Sequence, residues 1–154
     1  MDQQGSFKAI NPVIDGVTPF SSPNVASLAI NHKLVNGQLT LAAFGHLTPA
    51  AGVHSFSLSS FRFGCYEITE TNLAAVVEGC ALTVSGTYVG GGQVPEMTFA
   101  FAPTKLTANT MALAELPVAE YSNLANVTIA VAGSAIAVLT IGVYVDNLVH
   151  CNHS

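Results

Sequence analysis

The sequence has few charged side chains and no tryptophan. Four lysine and arginine residues stand against nine acidic residues, so the 154-residue chain has a formal net charge of −5 at pH 7. Four cations are too few to form a basic patch that neutralises a row of phosphates. The composition therefore argues against nucleic acid as a partner.

Small and β-branched residues fill the chain instead. Hydrophobic residues make up 50% of it, and the abundance of Val, Ala, Thr, Leu, Ser and Gly is typical of short packed strands joined by small turns. A chain of 154 residues fits a single domain that buries a sizeable core. We therefore predict one all-β domain over residues 1–154, with an extended N-terminal segment at 1–23 and a tail at 152–154.

A long uncharged run covers residues 127–145 and is long enough to cross a bilayer as a helix. It is rich in β-branched residues, has a Gly-Ser pair at its middle, and is followed by Asp146 without a basic anchor. These features favour two strands and a tight turn. We predict strands over 127–132 and 135–145 and no membrane span.

Turn residues divide much of the remaining chain into hairpins. Asn36-Gly37 lies between two apolar-leaning runs, which predicts a hairpin over residues 27–44 because both turn residues tolerate positive φ. A second hairpin is predicted over residues 82–101, around the three glycines at 90–92.

The strand expected to end at Cys65 alternates between apolar and polar side chains but slips by one position at Ser59-Ser60. Such a slip turns every following side chain to the other face unless a β-bulge absorbs it, so we predict a bulged strand. After the second hairpin, we predict a short strand over 110–116 and a loop or single helical turn over 117–126. The expected fold is a two-sheet antiparallel sandwich of about eight strands, jelly-roll-like.

Four stretches carry a resemblance to a known group: SFSLSSFRFGC, GCALTVSGTYVGGGQVPEMTFAF, LAELPVAEYSNLANVTIAV and LTIGVYVDNLVHC. Together they resemble small secreted fungal β-sandwich proteins of galactose-binding-like, jelly-roll type. In that group a strand ends in Gly-Cys or Ala-Cys, a second cysteine begins the next strand, and a late hydrophobic strand closes with Asp-Asn and an apolar residue. The resemblance covers about residues 54–151. It implies a fold and an extracellular setting more than an activity.

The chain has three cysteines. By this resemblance Cys65 ends one strand and Cys80 begins the next, and a disulfide between them fixes both ends of a polar loop. Closing a loop of this length stabilises the fold by about 3 kcal/mol. The alternative is that both are reduced core cysteines, as in cytosolic proteins. Cys151 is left over, either buried or paired with another molecule.

The expected compartment is extracellular. The first twelve residues lack the basic start and apolar run of a signal peptide, so the chain is either cytosolic or a secreted chain whose signal peptide has been removed. Two N-glycosylation triplets, which begin at Asn126 and Asn152, fit the same setting. The scarcity of lysine and the spacing of Cys65 and Cys80 favour it as well.

A structural calcium ion is the metal that the sequence best supports. Asp146 and Asn147 follow an apolar run, where a carboxylate and an amide oxygen can join backbone carbonyls around Ca²⁺. The resemblance also implies a calcium ion near the terminal strand, and Asp15 is the one early acid that can contribute. The alternative is a simple turn at the end of the strand. The five histidines show no spacing typical of a transition-metal site.

Carboxylates are the only candidates for catalysis. Glu67, Glu70 and Glu78 lie between Cys65 and Cys80, and a pair of them could act as acid and base in glycoside cleavage. The alternative is that this loop is merely solvated.

Sugar-binding sandwiches stack pyranose rings on aromatic side chains, and this chain has four tyrosines for the purpose. Tyr66 and Tyr121 are predicted to be the exposed rings. We predict a secreted, non-catalytic binding or cell-surface module with a glycan, such as a cell-wall polysaccharide, as its leading ligand class. The alternatives are a polysaccharide-active enzyme that uses the loop carboxylates and a structural wall or host-interaction protein.

Overall fold

The structure is a computed structural model that describes residues 7–10, 16–21, 25–28, 30–35, 38–67, 76–132 and 141–154. The described residues form thirteen β-strands, which confirms the all-β prediction. In chain order the strands are β1 Phe7–Ile10, β2 Val17–Thr18, β3 Val25–Leu28, β4 Ile30–Val35, β5 Gln38–Leu47, β6 Ser55–Glu67, β7 Val76–Glu78, β8 Cys80–Tyr88, β9 Met97–Phe101, β10 Asn109–Thr110, β11 Ala112–Glu115, β12 Leu124–Ala132 and β13 Ile141–His153.

Eleven strands form one antiparallel sheet, and β2 and β10 form a separate parallel pair. Pairing within the large sheet falls into two groups. In the first group β1, β3, β13 and β6 pair in that order, and β7 and β11 also pair with β6. In the second group β4, β5, β12, β8 and β9 pair in that order. Leu124 on β12 and Phe56 on β6 form the register pair between the two groups.

Both predicted hairpins are present. Strands β4 and β5 pair antiparallel up to Val35 and Gln38, so the connection is Asn36-Gly37, which lies outside the described residues. Strands β8 and β9 also pair antiparallel, and their turn contains Gly91 and Gly92 with φ of 85° and 92°. Glycine adopts this left-handed conformation without the steric cost that a Cβ brings.

The bulge predicted in β6 is also confirmed. Leu58 and Phe61 are both fully buried although they are three residues apart, so strict alternation is broken between them. On β13, Val149 pairs with Ser60 and the next residue pairs with Leu58, which leaves Ser59 without a register partner on that strand. The extra residue restores the core-facing direction of the side chains that follow.

The last strand is longer than predicted. We expected the strand to end at Val145 and residues 152–154 to be a tail, but β13 continues to His153 and pairs with Ser55 there. A register shift after Asp146 adds one residue to β13, and Asn147 takes a left-handed conformation with φ of 48°. The prediction was wrong because a polar pair can mark a bulge as well as a strand end.

The uncharged run that resembled a membrane helix is sheet where the structure describes it. Residues 127–132 belong to β12 and residues 141–145 to β13, while 133–140 lie outside the described residues. The described parts of the chain contain no helix that is long and apolar enough to cross a membrane.

The disulfide between Cys65 and Cys80 is formed, with their Cα atoms 6.1 Å apart. It joins the end of β6 in the first strand group to the start of β8 in the second. The loop between them is shorter than expected because Val76–Glu78 form β7, which pairs with the end of β6. Cys151 is exposed and its thiol is free, so the alternative of a buried Cys151 is wrong.

Candidate functional site

Tyr121 is not the exposed ring that we predicted. It is fully buried, and its hydroxyl lies 2.7 Å from the carbonyl oxygen of Pro95 and 3.0 Å from that of Val84. Burial raises its pKa to about 12, and the negative charges of Glu120 and Glu96 add to the effect. A ring in this position has no face on which a sugar could stack.

A single turn at residues 117–121 carries Tyr121 into the core. The backbone N–H groups of Glu120 and Tyr121 both donate to the carbonyl oxygen of Pro117, at 3.0 and 2.9 Å. The carbonyl oxygen of Tyr121 in turn accepts from the N–H of Leu58 on β6 at 3.0 Å. The turn that we predicted from the sequence is therefore present, and it connects Tyr121 to β6 through a backbone hydrogen bond.

Tyr66 is half-buried on the face of β6 and β13 that points away from the core, called the outer face below. Its ring stacks on Tyr144 with centroids 4.3 Å apart, and it covers Gly142, where any Cβ would overlap the ring. Its hydroxyl lies 3.5 Å from that of Ser27. One face of Tyr66 is thus used in packing, and its contact with a sugar stays a prediction.

The loop carboxylates are only partly described. Glu67 pairs in register with Val76, and Glu78 pairs with Cys65, so the two glutamates lie two register positions apart on neighbouring strands. Glu70 lies outside the described residues. This arrangement does not test the catalytic alternative, which stays a prediction.

Asp146 lies on the outer face and holds a distant segment of the chain. The hydroxyl group of Ser21 donates to Oδ1 of Asp146, and the backbone N–H of Ser21 donates to Oδ2 at 2.6 Å. The backbone N–H of Asn147 also donates to Oδ1, at 2.6 Å. Burial acts to raise the pKa of this carboxyl group, but the hydrogen bonds from Ser21, Asn147 and the backbone of Phe20 outweigh burial and lower it.

The calcium prediction gains no further support from this geometry. Both oxygens of Asp146 already accept hydrogen bonds, and Asp15 lies outside the described residues. In the described part of the chain, no group of three or more His, Cys, Asp or Glu side chains is placed to hold a metal ion. Calcium binding by Asp146 and Asn147 stays a prediction.

Among the aromatic residues whose exposure the structure describes, Phe20 is the most exposed. Its ring covers the guanidinium of Arg62, whose Cζ lies 4.1 Å from the ring centroid, and 58% of the residue remains exposed. Arg62 pairs in register with Asp146 on one side and with Leu113, itself 43% exposed, on the other. We call Phe20, Ser21, Arg62, Leu113 and Asp146 the Phe20 site.

Two anchors hold Phe20 in place. At one end Val17 packs over Gly64, because a Cβ on Gly64 would lie 2.7 Å from a methyl group of Val17. At the other end Ser21 is bound to Asp146. The segment between these anchors crosses the outer face and lays the Phe20 ring on Arg62.

Our sequence reasoning missed the Phe20 site. The local signal that could have indicated it is Gly64, since a glycine inside a strand marks a place where another part of the chain approaches closely. No local pattern, however, relates Ser21 to Asp146, which are 125 residues apart.

Asn126 lies on β12 and is half-buried. Its Nδ2, the atom that a glycan would modify, donates to the Oγ1 of Thr87 at 2.6 Å. Glycosylation at this residue stays a prediction.

No protein-family model matches the sequence, and no curated protein was found to be similar to it.

Proposed function

We propose that the protein is a glycan-binding module and that a sugar ring packs on the exposed face of Phe20. The observation that carries this proposal is the Phe20 ring itself, which is 58% exposed although its other face is held on Arg62. An aromatic ring offers a large apolar contact to the C–H face of a pyranose. Phe20 thus takes the role for which we had considered Tyr121.

The surroundings of Phe20 suit a sugar because they combine a fixed ring with polar groups. Contact with Arg62 and the anchored position of Ser21 restrict the ring before a ligand arrives, which lowers the entropy lost on binding. Asn147, which is exposed beside Asp146, offers an amide that both donates and accepts hydrogen bonds. Sugar hydroxyl groups need partners of both kinds.

For the fold, we infer a two-sheet sandwich of jelly-roll-like type. Support comes from ring contacts between strands that do not pair. Phe61 on β6 and Phe99 on β9 have centroids 6.4 Å apart, and Phe63 and Phe101 on the same strands have centroids 6.3 Å apart. Contacts between rings of the two strand groups are expected if the groups face each other across one core.

For the compartment, we propose an extracellular location. The disulfide between Cys65 and Cys80 supports it, since disulfides persist in oxidising compartments and are rare in the cytosol. The mass of the purified protein should rise by two hydrogens on reduction, and peptide mapping should assign the bridge to these two cysteines.

The proposal is tested by pelleting the protein with insoluble chitin, cellulose and β-1,3-glucan and by applying it to an immobilised glycan array. We expect retention on at least one of these probes with a Kd of roughly micromolar to millimolar, as is usual for shallow sites. Phe20→Ala should weaken retention at least about tenfold because a stacked ring is removed. Val118→Ala, at a residue 61% exposed, is the matched control and should bind normally.

Unchanged retention of Phe20→Ala would contradict the site, and a loss in Tyr66→Ala alone would move it to Tyr66. Release of reducing sugar by the wild-type protein, abolished by Glu67→Gln with Glu78→Gln, would favour the polysaccharide-active enzyme instead. If none of the probes retains the wild-type protein, the glycan-binding proposal fails and the wall or host-interaction alternative gains.

A further inference from the structure

Among the described residues, strand β13 has an open edge along its second half. On one side its pairing with β6 extends to His153, whereas on the other side its pairing with β3 covers only Val143–Val145. Beyond Val145, no strand in the described ranges pairs with β13 on the β3 side. Alternate residues of an open edge present backbone N–H and C=O groups that have no ladder partner.

Two pockets lie one after the other along this edge. The first has a volume of about 310 Å³ and is bordered by Val25, Ala26 and the segment 145–148. The second has a volume of about 210 Å³ and is bordered by Phe56 and by the polar residues Thr48, His150 and Asn152. Leu47 and Leu148 border both pockets and separate them.

The second pocket lies on the core-facing side of the edge, and the first is bordered by residues of both faces, since Val145 faces the core and Asp146 lies on the outer face. His150 pairs in register with Leu58, and Asn152 pairs with Phe56, and both partners are buried in the core. A strand that paired with the open edge of β13 would therefore direct every second side chain toward the pockets and the others toward solvent.

We propose that an extended peptide binds this edge by strand addition and places apolar side chains from one of its faces in the two pockets. Only a polypeptide backbone offers donors and acceptors that repeat with the spacing of the β13 edge, and alternate side chains of an added strand give the specificity. Both pockets have apolar walls, formed chiefly by Val25, Leu47, Phe56 and Leu148. The occupant is thus a peptide with apolar residues two or four positions apart.

Charge favours a peptide that is neutral or basic. The protein carries a net charge of −5, and the polar residues of the second pocket, Thr48, His150 and Asn152, contribute no carboxylate. An acidic peptide would be repelled by the field of the whole protein. This inference does not depend on the glycan proposal, because the ligand class is different, although Asp146 and Asn147 border the first pocket as well as the proposed sugar contact.

The test uses a fluorescein-labelled peptide of sequence Lys-Thr-Val-Thr-Val-Thr-Val-Thr-Lys and measures its fluorescence anisotropy with the full chain. We expect a Kd of roughly 10 to 500 µM, typical of a weak strand addition. Two further peptides carry N-methyl groups on the valines or on the internal threonines. Because only alternate N–H groups face the protein edge, one of these peptides should bind at least about tenfold more weakly and the other should bind normally.

Two protein variants locate the site. Leu148→Asn changes a residue that borders both pockets and should weaken binding at least about tenfold, whereas Leu106→Asn, at a residue 81% exposed between β9 and β10, should leave it unchanged. Amide hydrogen exchange of the wild-type protein gives an independent measurement if Leu148→Asn does not fold. Addition of the peptide should slow exchange in residues 148–153.

Three results would overturn the proposal. The first is the absence of binding by the unmodified peptide, and the second is equal binding of the two N-methylated peptides, which would exclude pairing by the backbone. The third is self-association of the protein in sedimentation experiments, without added peptide, that slows exchange of the same residues 148–153. The edge would then be the contact between two copies of this chain.

Discussion

Two short segments lie against the strands of this protein and direct their aromatic rings in opposite ways. The turn at residues 117–121 buries Tyr121 completely, whereas the segment at 16–21 leaves Phe20 58% exposed. Both segments are irregular or contain only very short strands, and both have a proline close to the ring. The two segments differ in the hydrogen-bond partners that are available to each aromatic residue.

The polar atoms of Tyr121 find partners in both strand groups. Its hydroxyl reaches the carbonyl oxygen of Val84 on β8, and its own carbonyl oxygen accepts from Leu58 on β6. Phe20 has no hydroxyl group that needs a buried partner, and one face of its ring already lies on a cation. The comparison teaches that a ring in a loop is placed by its polar partners as much as by its hydrophobicity.

Replacing each ring by alanine gives the largest expected contrast. Tyr121→Ala should lower the free energy of unfolding by about 3–5 kcal/mol, because it leaves a cavity in the core and removes a buried hydrogen bond. Urea denaturation followed by circular dichroism measures the change. A loss below about 1 kcal/mol would show that the two rings do not differ in structural role.

Removing only the hydroxyl group should have a smaller effect. We expect Tyr121→Phe to cost about 1–2 kcal/mol at neutral pH. The pKa of Tyr121 is raised to about 12, while the pKa of a tyrosine in the unfolded chain is about 10. The contribution of the Tyr121 hydroxyl group to the free energy of unfolding is therefore complete below about pH 10, and it is lost as the pH rises through the folded-state pKa.

The alkaline part of this prediction is measured by unfolding at pH 9 to 12. The wild-type protein should lose stability across this range more steeply than Tyr121→Phe does. Tyr88→Phe serves as the control, since Tyr88 lies at the surface end of β8 and its hydroxyl donates to the carbonyl of Glu120 in an exposed bond. Parallel curves for the wild type and Tyr121→Phe would contradict the assignment.

The anchor of the Phe20 segment should contribute a similar amount to the free energy of unfolding, about 1–2 kcal/mol at pH 7, as measured by Asp146→Asn. Because hydrogen bonds lower the pKa of Asp146 in the folded protein, its contribution is present above the unfolded pKa of about 3.9 and is lost as the pH falls through the folded pKa. The stabilities of the wild type and Asp146→Asn should therefore converge on acidification. Glu96→Gln, at an exposed residue, is the matched control and should show no such convergence.

The smallest expected effect is that of Phe20→Ala on stability. Loss of the contact with Arg62 should cost less than about 1 kcal/mol, since exposed cation–π pairs contribute little. The same substitution is expected to abolish most glycan retention. A large loss of stability without a change in retention would reverse the roles that we assign to the two segments.

The sequence was sufficient for features that depend on neighbouring residues. Alternation and glycines predicted the hairpin of β8 and β9, and the slip at Ser59-Ser60 predicted the bulge in β6. These features could be predicted because strand period and turn conformation are local properties.

The features that sequence reasoning missed depend on distant contacts. Tyr121 lies four residues after a proline, in a stretch that we predicted as a loop or single turn, yet its hydroxyl reaches a carbonyl oxygen 37 residues away. Likewise, the sequence around Asp146 indicated the end of a strand, because no nearby residue shows that Asp146 binds Ser21, which is 125 residues away. Polar residues that bind across the chain leave no periodic signal, so the Phe20 site could not be predicted from local patterns.

The two register shifts between β6 and β13 constrain how this protein can change in evolution. From Asp146–Arg62 to His150–Leu58 the two strands advance by the same number of residues, so the extra residue in one compensates for the extra residue in the other. Deletion of one residue from either strand would turn the end of β13 over and point Cys151 into the core. Only a matching deletion in the partner strand restores the faces. Descendants of this chain should therefore gain or lose residues here in pairs, even where single substitutions are tolerated.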